Sequence, residues 1–171
     1  MVRCIKISLL CCILFSLLGC GSSPKPEEAA CGVEFPPISF KPRFTVDMLP
    51  LQVIPYPQMT ESALSEALSF WEDIANRSLF TGAVRPFSID FRVLSMMAYP
   101  AVASDRPDGC TILFQKEEYI NNIFILKHEI GHCLGFSHSA ASICCIMTGG
   151  AIGTIQPGDC DLTQLTTYVN E

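Results

Sequence analysis

The 171-residue chain contains three histidines, and all three lie in one short stretch, HEIGHCLGFSH, as His128, His132 and His138. A spacing of four puts His128 and His132 on one face of a helix, a turn apart, so two imidazoles can grip one ion. Glu129 follows the first of them, pointing to a different sector but within reach of a metal-bound water. That is the H-E-x-x-H arrangement of zinc hydrolases, with the glutamate as general base. Gly135, three residues after His132, can take a positive φ and end the helix in a sharp turn. The turn brings the chain back to offer His138 as third ligand. Three protein ligands leave the fourth tetrahedral position open to water, which separates a catalytic zinc from a structural one. The full H-E-x-x-H-x-x-G-x-x-H pattern fixes five positions, with a chance frequency in a chain of this size below about one in 10⁴.

This motif resembles that of the metzincin metallopeptidases. In that clan a tight turn carrying a methionine lies beneath the metal, a few residues past the third histidine. Cys145-Ile146-Met147 stands where such a turn is expected, so the resemblance makes Met147 the Met-turn residue. Ser139, directly after the third histidine, is similar to the matrixin subgroup. QVIPYPQMTESALSEALSFWEDI looks like the first matrixin strand and helix, with Trp71 near the helix end. GDCDLTQLTTYV resembles the closing matrixin helix. What the resemblance implies is an α+β, metzincin-like single domain: a small twisted sheet packed on a central active-site helix, with a C-terminal helix. It implies one catalytic Zn²⁺ and hydrolysis of peptide bonds in a protein or peptide substrate, with Glu129 as base.

The sequence also departs from the matrixin pattern. Thr148-Gly149-Gly150 follow the methionine where matrixins have Tyr-Pro, so the pocket wall built there differs. No further histidine exists for a second, structural zinc. Calcium stays open as an additional ion, with no Asp-rich loop to support it. Cys31-Gly32-Val33 is similar to the inhibitory segment of matrixin propeptides but lacks its flanking Pro-Arg, and a disulfide is the stronger expectation for Cys31.

The elements that must position these residues can be read from periodicity. Residues 31–50 are Pro-rich and read as an extended lead-in, and Leu51 to Ile54 as a short strand closed by Pro55 and Pro57. Thr60 is a helix N-cap, and Leu64, Leu68, Trp71 and Ile74–Ala75 recur at helical spacing over 61–77. Trp71 reads as core. Phe87 to Val93 alternates apolar and polar, as a half-buried strand does. Residues 98–109 read as a loop, and Thr111 to Gln115 as a second strand, expected at the sheet edge where a substrate strand would add. Asn121 or Asn122 starts a helix whose first residues, Ile123 to Leu126, are apolar all round; such a helix is central. Asp159 or Asp161 caps a last helix through Leu162, Leu165 and Val169. No internal repeat and no second domain are visible.

Cysteine usage and the N-terminal stretch address compartment. Arg3 and Lys6 precede an apolar run, Ile7 to Leu18, too short to span a bilayer and suited to the h-region of a signal peptide. Leu17-Leu18-Gly19-Cys20 resembles a bacterial lipobox, which implies a signal peptide at 1–19, lipid on Cys20 and membrane attachment. The alternative is cleavage at a small residue without lipid. Residues 20–30 then form the lipidated start and a flexible Gly/Ser/Pro/Glu tether, and 31–171 the catalytic domain. Gly21, in place of an Asp, points to the outer membrane or cell surface. Past Cys20, six of the 10 cysteines remain: Cys31, Cys110, Cys133, Cys144, Cys145 and Cys160. An even set in an exported domain predicts disulfides, with Cys144 and Cys145 bonded to different partners. A structural Cys-zinc site is the rival, but no C-x-x-C pair follows Cys20. The net charge of −6 argues against nucleic acid as a partner, and a monomer is expected. A non-catalytic zinc-binding surface lipoprotein is the alternative reading; Glu129 weighs against it, because a pure binding site has no use for that carboxylate.

Overall fold

The computed structural model describes residues 38–138, 146–147 and 162–171. The chain enters along residues 38–50, extended except for a single 3-10 turn at Val46–Met48. It then forms strand β1 (Leu51–Ile54), in which Leu51 and Val53 are buried while Gln52 and Ile54 are not. Helix α1 (Glu61–Ala75) follows, capped by Thr60, whose hydroxyl accepts from the Ala63 N–H. Asn76, in the left-handed conformation, ends it two residues before the expected boundary at 77. Its buried stripe is Ala63, Ala67, Trp71 and Ala75. Leu64, Leu68 and Ile74, expected to form the inner face, are only half-buried and flank the core. Alanines bring the α1 backbone closer to its neighbour than leucines would, and the bulkier residues spread to the sides.

Four more strands complete the sheet: β2 (Phe80–Thr81), β3 (Ser88–Val93), β4 (Ala101–Arg106) and β5 (Gly109–Phe114). The order across it is β2-β1-β3-β5-β4, parallel except that β4 runs antiparallel to β5. Two sequence expectations are corrected here. Residues 98–109 are not a loop throughout, because 101–106 form β4. Nor is the strand at Thr111–Gln115 an edge: β5 is an inner strand and β4 holds the edge. GCTILF is buried nearly throughout, as an inner strand must be. AVASDR is mostly exposed and ends in charges, as an edge strand can be, which is why it reads as a loop. On the sheet face away from the helices, the buried Asp90 accepts from Thr111 Oγ1 at 2.9 Å and pairs with Arg106 at 2.8 Å, tying β3, β5 and β4 together.

Helix α2 (Ile123–Leu134) is central, but of its apolar start only Ile125 and Leu126 are buried, while Ile123 is half-buried and Phe124 exposed. Asn122 caps it, its side chain accepting from the Phe124 and Ile125 N–H groups. The helix packs on α1 to one side and on β4 and β5 to the other. A disulfide between Cys110 on β5 and Cys133 on α2 joins the two, with Cα atoms 5.6 Å apart. Helix α3 (Thr163–Asn170) closes the described chain against α1. It starts after Leu162 without a side-chain cap; Asp159 and Asp161 lie outside the described residues. The described residues form a mixed α+β arrangement, a five-stranded, mostly parallel sheet with three α-helices. No described helix is long and apolar enough to cross a membrane.

Candidate metal centre

Helix α2 places His128 and His132 one turn apart, and its termination places His138. Gly135 ends the helix at φ 116°, its N–H reaching back to the Gly131 and His132 carbonyls, while Phe136 donates to Gly131 at 3.0 Å. A side chain at 135 would meet strain from that φ and would run into the Lys41 carbonyl. From this turn the chain returns and the three rings face one another. Their Nε2 atoms stand 3.1 Å (His128 and His132), 3.2 Å (His128 and His138) and 3.0 Å (His132 and His138) apart.

Backbone carbonyls decide what those nitrogens can do. His128 Nδ1 lies 2.6 Å from the Ile146 oxygen, and His132 Nδ1 lies 2.8 Å from the Phe136 oxygen. A carbonyl oxygen only accepts, so each Nδ1 carries the proton and donates. In the neutral ring, Nε2 is then a bare lone pair. Burial favours that neutral form. It lowers the His132 pKa from its ordinary value to about 4, helped by the other two imidazoles and Arg43 and opposed by the Phe136 carbonyl. Burial also lowers His128, opposed by the Ile146 carbonyl. Lone pairs crowded this closely repel unless a cation sits among them. Imidazole nitrogens at 2.0–2.1 Å from a tetrahedral ion are about 3.3 Å apart, so the observed triangle needs only slight opening. The three histidines could hold a metal ion.

Glu129 follows His128 on α2 and is 6% exposed. Burial raises its carboxyl to about 7, while the Ala103 N–H on edge strand β4 donates to it and pulls the other way. Its Oε2 is buried without a hydrogen-bond partner among the described residues. Glu129 is thus a buried carboxyl with only part of its hydrogen-bonding capacity met, on the same helix as two of the three histidines.

Packing beneath the helix fixes this geometry. Met147 is fully buried against Gly131, where an added Cβ would come within 2.5 Å of its sulfur and 2.6 Å of Trp71. Trp71 donates its Nε1–H to the Lys127 carbonyl at 2.9 Å and stacks on Phe136 at 5.4 Å. The pair Ile146-Met147 therefore serves twice: one carbonyl orients His128 and one side chain packs under α2. Of the other sequence expectations, Cys110 and Cys133 are bonded to each other, while Cys20, Cys31, Cys144, Cys145 and Cys160 lie outside the described residues. Sequence reasoning did not find Ala103, the Ile146 and Phe136 carbonyls, or Arg43. The first three act through backbone atoms, which leave no side-chain signature in a motif. Comparison with protein-family models returns no match, and comparison with curated proteins returns none either.

Proposed function

We propose that this chain is a zinc-dependent endopeptidase of metzincin type, similar to the matrixins, exported and anchored to an outer membrane or cell surface through lipid on Cys20. One observation carries the reading: three imidazole Nε2 atoms converge within 3.2 Å, and the helix that carries two of them also carries the buried Glu129 carboxyl with an unpartnered oxygen. The donor set, three imidazoles and an open position, suits zinc. The Gly135 turn and the buried Met147 under α2 support the metzincin likeness.

His128, His132 and His138 would hold the ion. Bound there, zinc supplies Lewis-acid polarisation of the scissile carbonyl and makes a water acidic near neutral pH. Glu129, as the carboxylate, takes a proton from the attacking water and returns it to the leaving amine. The outer edge of β4 gives a peptide a strand to pair with, and the Ala103 N–H keeps Glu129 between that edge and α2.

Digestion of an unstructured protein such as casein tests the reading. Cleavage that a chelator abolishes and zinc restores is expected. A folded protein that binds zinc stoichiometrically and leaves casein and a broad peptide library uncut would contradict it.

A further inference from the structure

The turn that carries His138 is held from outside the motif. Ser137 donates its N–H to the Ser39 carbonyl at 2.9 Å, and Lys41 donates to the Gly135 carbonyl at 2.9 Å. These bonds form an antiparallel bridge centred on Phe40 and Phe136. The bridge clamps both flanks of the turn between His132 and His138. The Phe40 ring lies 4.6 Å from that of Phe136 and 5.9 Å from that of Tyr168 on α3. Phe136 is fully buried, sandwiched on its other side by Trp71. The missing Cβ at Gly135 is what lets Lys41 approach so closely.

This lead-in is itself fastened down. Ile38 and Phe44 are buried. Gln164 donates to the Ile38 carbonyl at 3.0 Å, and Tyr168 donates its hydroxyl to the Phe44 carbonyl at 2.6 Å. Arg43 pairs with Asp105 on edge strand β4. Residues 38–44 thus form a strap tied to α3 at Ile38 and Phe44, paired with the metal turn between them, with the Arg43 side chain reaching β4.

A ligand beyond the end of a helix lacks the helical hydrogen bonds that hold His128 and His132. If residues 135–138 had to be ordered when metal binds, that ordering would weaken the affinity. Order that the rest of the fold imposes on this turn, through bonds that do not involve the metal, lowers that penalty.

We propose that residues 38–44 are a positioning strap for the metal centre, in which Phe40, acting through Phe136 and Ser137, holds His138 in its ligating place. The inference rests on the reading of the three histidines as metal ligands and needs no assumption about the reaction. Phe40 acts through its pairing with Phe136 and is a positioning residue.

The test is a double-mutant cycle on zinc affinity in the full chain, read by competition with a chelating dye, with near-ultraviolet circular dichroism confirming the fold. Phe40→Ala is expected to weaken zinc binding by roughly 10- to 100-fold, the range for removing a group that orients a ligand. In a His138→Ala background the same substitution should cost less than about threefold, because the ligand it positions is gone. Phe40→Leu fills much of the space without the ring and should give a smaller loss of the same pattern, which keeps the test readable if Phe40→Ala does not fold. Folded variants with unchanged affinity would overturn the proposal, as would equal losses in both backgrounds. A parent chain that binds no zinc would overturn the metal reading and the strap with it.

Discussion

The three histidines reach one point by two different routes. His128 and His132 are carried by a helix that the Asn122 cap, the Cys110–Cys133 disulfide and the buried Met147 and Trp71 all hold. Each has its Nδ1 fixed by a carbonyl. His138 stands four residues past Leu134, is exposed, and depends on Gly135 and on a segment almost a hundred residues earlier in the chain. Periodicity sets the first pair, and long-range backbone pairing sets the third. A site built this way has two rigid ligands and one that the rest of the fold must deliver.

The largest expected effect separates the two routes directly. His132→Ala should lower zinc affinity by roughly a hundredfold or more, since zinc affinity is shared among few ligands. His138→Ala should cost less, because His138 is the exposed member of the three and water can take the place its ring leaves. Equal losses, measured by dye competition, would break the distinction.

The disulfide tests the rigid side. Replacing Cys110 and Cys133 together by serine should reduce stability by roughly 2–4 kcal/mol, given a sequence separation of 23 residues. Denaturant unfolding of the metal-free protein reads it. An unchanged midpoint would mean that β5 and α2 hold together without the bond.

Glu129 adds a pH signature. Its carboxyl is raised to about 7 in the fold, so folding disfavours the ionised form, and this penalty grows as pH rises from about 4.5 through 7. Glu129→Gln removes it. The metal-free variant should therefore be more stable than the parent by roughly 2–3 kcal/mol above pH 7, with the advantage vanishing toward pH 4.5. His132, lowered to about 4, works in the opposite sense, destabilising the metal-free fold as pH falls from about 6.5 toward 4. A Glu129→Gln advantage that does not vary with pH would contradict the buried, raised carboxyl.

The two glycines give the smallest effects and sharpen the comparison. Gly131→Ala presses on Met147 and Trp71 beneath the helix pair and should cost roughly 1–3 kcal/mol of stability by overpacking. Gly135→Ala forces a positive φ and displaces Lys41, at roughly 1–2 kcal/mol from the backbone alone. Only the second should weaken zinc binding beyond its effect on stability. Thermal melts with and without zinc separate the two contributions.

What could be read from the sequence follows the same division. Helix α2, its Asn122 cap, the pairing of His128 with His132 and the Gly135 turn are local, encoded in spacing and in the one residue that tolerates that φ. Strand β4 was missed because an edge strand buries little and AVASDR carries no apolar alternation strong enough to mark it. On α1, Trp71 and Ala75 are buried as the spacing predicts, but close helix packing selects Ala63 and Ala67 in place of Leu64, Leu68 and Ile74, which apolar spacing alone does not distinguish. The strap at 38–44 binds through main-chain atoms, to which any non-proline side chain is silent. Ala103, whose N–H reaches Glu129, is hidden for the same reason.

The most direct measurement is a paired assay of Glu129→Gln beside the parent, with zinc content and casein cleavage determined on the same preparations. The account predicts one zinc per chain in both proteins and cleavage reduced by roughly 10²- to 10⁴-fold in the variant, the range for losing a general base. A zinc-loaded variant that cuts at the parent's rate would contradict it.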